Sequence, residues 1–211
     1  MFIKYLGHSA FFIKANRSVV TDPFHFIGYD MEKVSADFCL LSHGHFDHNA
    51  SEYVQNSVVI DSTDKTFLAK DISLSAIKTF HDDKKGKLRG GNLVFKFVLD
   101  GVTFCHLGDL GESFSEELAD RIGKCDVLFL PIGGTYTIDH IEAKKYADHI
   151  APALIVPMHY KTVRSNIDIS GKDRFISAYN SIIEQKGEFY LDRETLDNIK
   201  GSVLLFDDKK F

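Results

Sequence analysis

Asp37-Phe38-Cys39-Leu40-Leu41-Ser42-His43-Gly44-His45-Phe46-Asp47-His48 is the stretch on which the reading of this chain turns. The apolar run Phe38 to Leu41 has the length and composition of a buried strand. Directly after it, four side chains able to ligate a metal fall within six residues: His43, His45, Asp47 and His48. On an extended strand end, residues two apart project from one face, so His43 and His45 can point at one ion. Asp47 and His48, on the following turn, are then free to reach a second. A solvated turn rich in His and Asp is the ordinary alternative, and four ligands at this spacing behind a strand argue against it.

Four further candidates end strands or open loops. His81 follows Ile77 to Phe80, Asp109 follows His106-Leu107-Gly108, His159 follows Val156-Pro157-Met158, and Asp22 ends Val19-Val20-Thr21. Ligands from several strand ends can converge on one sheet edge, where α/β proteins tend to place their sites. His106 competes with His81 for a place among the ligands. It shares a face with Val102 and Phe104, which favours a satisfied core histidine, but the spacing leaves both in play.

Short β-like runs dominate the first half: Met1 to Leu6, Ala10 to Lys14, Val19 to Thr21, Phe38 to Ser42 and Val58 to Asp61. Leu93 to Leu99, turned by Asp100-Gly101 into Val102 to Leu107, predicts a hairpin, because Asp-Gly takes the positive φ values of a type I′ turn. Its first strand has only Lys96 as a polar residue, which implies a sheet covered on both sides. Helical stripes follow at Phe114, Leu118 and Ile122, at Ala143, Tyr146, Ala147 and Ile150, and at Phe175, Tyr179, Ile182 and Ile183. Asp139 with Glu142 three residues on predicts a helix start. Val127 to Leu130 and Leu154 to Val156 lie between these helices, and strands near Glu188 to Leu191 and Ser202 to Phe206 close the chain. The order predicts an α/β layered fold, in one domain over residues 1–211.

The 211 residues carry a net charge of −5 with a pI near 6.0. That gives none of the basic field that nucleic acid or an anionic membrane surface needs, so neither is an expected partner. Cys39, Cys105 and Cys125 are far apart and odd in number, which argues against a disulfide framework or a zinc knuckle. The N-terminus lacks a basic segment before a continuous apolar stretch, and no segment approaches the ~20 apolar residues of a span. A cytoplasmic location is the expectation.

His-x-His-x-Asp-His at 43–48, then Thr79-Phe80-His81, Leu107-Gly108-Asp109 and Pro157-Met158-His159, resembles the metallo-β-lactamase superfamily, from the first strand to at least His159. Gly7-His8-Ser9-Ala10-Phe11-Phe12 and Thr21-Asp22-Pro23 further resemble its branch of ascorbate-6-phosphate lactonase-like proteins and of phosphodiesterases related to N-acylphosphatidylethanolamine phospholipase D. The resemblance implies a four-layer αββα sandwich in which His43, His45 and His81 hold one metal. Asp47, His48 and His159 would hold another, with Asp109 bridging. Imidazole and carboxylate donors suit Zn²⁺, and also Mn²⁺ or Fe, and two ions about 3.5–4 Å apart can share one hydroxide. Asp47 would orient that nucleophile while ligating, and Asp22 would fix the tautomer of a ligand histidine.

The expected activity is that of a metal-dependent hydrolase. A hydroxide bridging two divalent ions would attack an ester-like centre in a small anionic lactone or phosphodiester. The competing readings are a di-iron protein that reduces oxygen or peroxide, and a non-catalytic metal-binding module. Beside Asp47, the candidate catalytic residues are His8, in a Gly-His-Ser turn, and Tyr160, which with Tyr136 is an oxyanion donor candidate. The loop Asp82 to Gly90 carries Lys84, Lys85, Lys87 and Arg89 beside His81. It reads either as a receiver for a phosphate or carboxylate or as a solvated charge run. A homo-oligomer is compatible with the sequence.

Overall fold

The structure is a computed structural model that describes residues 1–63, 67–69, 72–209 and 211, with 67–69 as backbone alone. The chain opens with β1 (Phe2–Gly7), β2 (Ala10–Lys14) and β3 (Ser18–Thr21), then passes through β4 (Val34–Ser35), β5 (Phe38–Leu40), β6 (Val54–Gln55) and β7 (Val58–Ile60). β8 (Phe67–Ala69), β9 (Ile72–Phe80), β10 (Gly91–Leu99) and β11 (Val102–His106) follow. Helix and strand then alternate through α1 (Glu116–Ile122), β12 (Val127–Pro131), α2 (His140–Ile150) and β13 (Leu154–Met158). The chain ends in α3 (Asp173–Ile176), β14 (Ile182–Gln185), β15 (Phe189–Tyr190), α4 (Arg193–Asn198) and β16 (Ser202–Phe206).

Two sheets face each other, in the orders β15-β1-β2-β3-β5-β7 and β14-β16-β13-β12-β11-β10-β9-β8. Period-two alternation in β1 and β2 turns Ile3, Tyr5, Phe11 and Ile13 toward Phe95, Phe97, Phe104 and Phe129 of the opposing sheet, and these form the central core. The Phe11 and Phe129 rings meet at 4.5 Å between centroids. β12, β13 and β16 are buried at every position, and apolar at all but Ser202, because they are covered on both faces. Their outer side packs on Leu118 and Ile122 of α1 and on Tyr146 and Ile150 of α2. Over the outer face of the first sheet, Val20 and Cys39 are sealed by Phe24, Ile27, Tyr29 and Met31, which come from irregular chain.

The hairpin joins β10 to β11 with Leu99 opposite Val102, through Asp100 at φ 45° and Gly101 at φ 77°, the two positive angles of a type I′ turn. α2 starts where Asp139 accepts from the Ile141 and Glu142 amides, and Ser115 caps α1 through the Leu118 amide. The stripe Phe175, Tyr179, Ile182 and Ile183 does not make one helix. α3 ends at Ile176, and Ile182 and Ile183 lie in β14, parallel to β16 with Ile182 opposite Val203. Two adjacent β-branched residues suit a strand, and the edge of β16 supplies their hydrogen-bond partners. Among the described residues no helix is long and apolar enough to cross a membrane.

Candidate functional site

One feature of the topology gathers the site. β1, β3 and β5 run parallel to one another within the first sheet, as do β9, β11 and β13 within the second. Each candidate follows the C-terminal end of one of these strands: His8 after β1, Asp22 after β3, His43 to His48 after β5, His81 after β9, Asp109 after β11 and His159 after β13. His8, Asp22 and His159 sit at φ 52°, 38° and 51°. Side chains other than Gly or Asn rarely adopt such angles, which cost about 1–3 kcal/mol each and tend to collect at functional sites.

Buried polar groups hold these ends in place. The Asp22 carboxylate accepts from the Ser42 amide at 2.7 Å and the Ser42 hydroxyl at 2.7 Å, and it lies 2.9 Å from His48 Nδ1. His48 is thereby oriented with Nε2 toward the centre. Asn92 accepts from the Asp109 amide at 2.9 Å, while its own NH₂ group donates to Thr79 Oγ1 and the Leu107 carbonyl. Gly108, at φ 56°, passes so close to this pair that a Cβ there would lie 2.3 Å from Asn92 Oδ1 and 2.6 Å from Ser42 Cβ.

Asp109 is the hub. Its carboxylate lies 3.1 Å from His159 Nε2, 3.2 Å from His48 Nε2, 3.3 Å from His81 Nε2 and 3.8 Å from His43 Nε2. Asp47 Oδ2 is 3.4 Å from His8 Nε2 and 3.7 Å from His48 Nε2. Two ligands bonded tetrahedrally at 2.0–2.1 Å to one ion are separated by about 3.3 Å, so these spacings match the edges of coordination polyhedra. Nε2 of His8, His43 and His48 and Oδ1 of Asp109 are buried without a hydrogen-bond partner, a costly state that a cation between them relieves. Donor atoms of three groups each lie within 4.8 Å of one another: His43, His45 and His81; His43, His48 and Asp109; and Asp47, His48, His159 and His8. The donor set, its spacing and its unpaired atoms all fit divalent metal.

The electrostatics follow from burial among like and unlike charges. Burial and the neighbouring His159 depress the His8 imidazole to about 4, and burial with His48 depresses His43 to about 3. These rings are neutral at pH 7, as ligation requires. Burial also opposes charge on His48, yet Asp109 and Asp47 outweigh it and lift that ring well above the ordinary histidine range. For Asp109, burial opposes ionisation, but His159 and His48 hold the carboxyl well below its usual range.

The two histidines in competition differ in surroundings. His81 enters the cluster, whereas His106 is fully buried with Nε2 3.0 Å from the Ser9 carbonyl and Nδ1 accepting the Gly108 amide. Tyr160 is buried and does not line the cleft; the neighbours of its hydroxyl are Asp208 and Tyr5. A cleft of about 600 Å³ opens over the cluster, bounded by His45, Asp47 and His81 at its base and by Phe26, Phe46 and Tyr136 at its mouth. The roles of Asn92, Ser42 and Thr79 as supports of the ligands are not evident from the sequence. Their only signal was a polar residue entering or leaving an apolar strand beside a ligand.

The Beta-lactamase superfamily domain matches residues 2–159, a span that contains every ligand candidate. A metal-dependent hydrolase of Nanoarchaeum equitans is 31% identical over 188 residues, which cover 77% of this chain and 85% of the relative. One of Thermococcus kodakarensis is 30% identical over 189 residues, covering 76% and 84%. A solved structure from Thermotoga maritima, assigned as a Zn-dependent hydrolase of the metallo-beta-lactamase superfamily, superposes with a TM-score of 0.80 at 32% identity, covering 97% of this chain and 98% of that one.

Proposed function

This chain belongs to the beta-lactamase superfamily and is a metal-dependent hydrolase, and we propose that it works with two divalent ions, Zn²⁺ being best suited to the donors, on a small anionic lactone or phosphodiester. The observation that carries the reading is the convergence of imidazole and carboxylate donors on Asp109 at ligand-to-ligand spacing. His43, His45 and His81 would hold one ion, Asp47, His48 and His159 the other, and Asp109 both. Bound there, the ions supply a water that ionises near pH ~7 and a Lewis acid for the scissile oxygen.

The chain's own groups supply the rest. Asp47 lies at the base of the cleft, 14% exposed, so one of its oxygens can accept a hydrogen bond from an attacking water and aim it. His8 is fully buried with Nε2 3.4 Å from Asp47 Oδ2 and without a hydrogen-bond partner, so it would join Asp47, His48 and His159 around the same ion. Asp22 holds the His48 ring in the tautomer that leaves Nε2 free. Phe46 and Ile167 wall the cleft with apolar surface, which strengthens each electrostatic contact inside it.

A panel of lactones and phosphodiesters, with bis(4-nitrophenyl) phosphate as the generic phosphodiester, tests the proposal. Turnover should disappear on chelation, return on adding Zn²⁺ or Mn²⁺, and fall roughly 100-fold or more in His45→Ala. Turnover indifferent to both chelator and His45 would overturn it.

A further inference from the structure

We propose that Arg89 receives an anionic group of the substrate and that this group is joined to an apolar arm lying along Phe26 and Phe46. The inference rests on the hydrolase reading above and names its substrate class. Of the four cations in the 82–90 loop, Arg89 alone lines the cleft, beside His45, Asp47 and His81. Lys84, Lys85 and Lys87 are exposed, and Lys84 pairs with Asp83 at 3.1 Å.

The loop is wound about one buried carboxylate. Asp82, 3% exposed, accepts from the amides of Lys84 at 2.8 Å, Gly86 at 2.9 Å, Leu88 at 2.9 Å and Arg89 at 2.8 Å. Gly111 seats the start of this loop, since a Cβ there would lie 2.4 Å from the Asp82 amide nitrogen. The backbone of Arg89 is therefore fixed before any ligand arrives. Its guanidinium lies 5.4 Å from the Tyr136 ring centroid, and among the described residues it has no ion-pair partner. A half-buried guanidinium stacked on an aromatic ring, with its fork of N–H donors unclaimed, is a preorganised receiver for a carboxylate or phosphate.

Phe26 and Phe46 define the rest of the ligand. They are 70% and 53% exposed on the same cleft, and Phe26 is held at φ 61° with its amide donating to Asp30. Large aromatic rings displayed at a cleft mouth mark a surface that becomes covered. The recognised molecule thus carries negative charge on the Tyr136–Arg89 side and apolar surface on the Phe26–Phe46 side. Its ester-like bond would lie at the donor cluster that lines the same cleft.

The test compares matched aryl esters bearing a para-carboxylate, a para-phosphate or a neutral para-carboxamide, using the metal-loaded enzyme. Binding of benzoate and phenyl phosphate, measured by calorimetry, is a readout that needs no turnover. Arg89→Met should cut the charged-over-neutral ratio of kcat/KM by about 10- to 100-fold and weaken phenyl phosphate or benzoate by a similar factor. Arg89→Lys should recover part of either. The anion that loses more identifies the group. Phe26→Ser should weaken phenyl phosphate more than methyl phosphate. Metal content and the unfolding midpoint of each variant verify that the site is intact. An unchanged charged-over-neutral ratio together with unchanged anion binding would overturn the assignment to Arg89. Absence of metal and of all turnover would instead overturn the hydrolase reading.

Discussion

Replacing Asp22 by Asn exchanges one oxygen for an NH₂ group at a fully buried position. In the native chain one oxygen takes the Ser42 amide, while the other takes the Ser42 hydroxyl and faces His48 Nδ1. Asparagine offers two orientations, and each has a defect. With NH₂ toward the Ser42 amide, two donors meet and a buried N–H loses its acceptor, a cost of about 1–3 kcal/mol. With NH₂ toward His48, Nδ1 must accept, so the ring proton moves to Nε2, the atom 3.2 Å from Asp109 that ligation requires. Either way, affinity for one ion should fall about 10- to 100-fold, or ~1.4–2.8 kcal/mol, the range typical of groups that orient a ligand histidine. Competition with a chromogenic chelator gives the two stepwise constants, and thermal unfolding gives the stability. Wild-type affinity for both ions in Asp22→Asn would refute the tautomer argument.

Three further outcomes follow from the geometry. Gly108→Ala should destabilise the fold by more than about 1 kcal/mol in urea unfolding, since φ 56° strains any Cβ, and should weaken metal binding by pushing Asp109 off Asn92. His8→Ala should lower affinity for one ion and alter the visible spectrum of the Co²⁺-loaded protein. His8→Phe, which fills the same space, should fail to restore either. Asp37 is held below the ordinary carboxylate range by the Ser18 hydroxyl and amide and by Arg17. Its contribution is therefore present above pH ~4 and lost as the pH falls through and below that value, so the stability gap between wild type and Asp37→Asn should close in acid unfolding curves.

Much of this arrangement was legible because its signals are local. His43, His45, Asp47 and His48 lie in one short stretch behind one strand, and Asp100-Gly101 names its own turn. His81, Asp109 and His159 each stand where an apolar run stops, and the fold brings them together. The misses are groups whose role depends on a partner far along the chain. Asn92 is defined by contacts to Thr79, Leu107 and Asp109, and Asp82 by amides up to seven residues later that only a folded loop presents. Ile182 and Ile183 fit a helical stripe by spacing, but the edge of β16, contributed twenty residues later, decided for a strand. Tyr160 stands next to His159, yet only His159 lines the cleft, while the Tyr160 hydroxyl meets Tyr5 and Asp208, partners far along the chain.

The clustered donors would hold metal for hydrolysis. Elemental analysis of the purified chain, with unfolding curves before and after chelation, tests this most directly. The expected result is two equivalents of transition metal per chain, a drop toward one in His45→Ala, and a lower unfolding midpoint once the metal is stripped. Protein without bound metal whose stability ignores both chelator and added Zn²⁺ would contradict it.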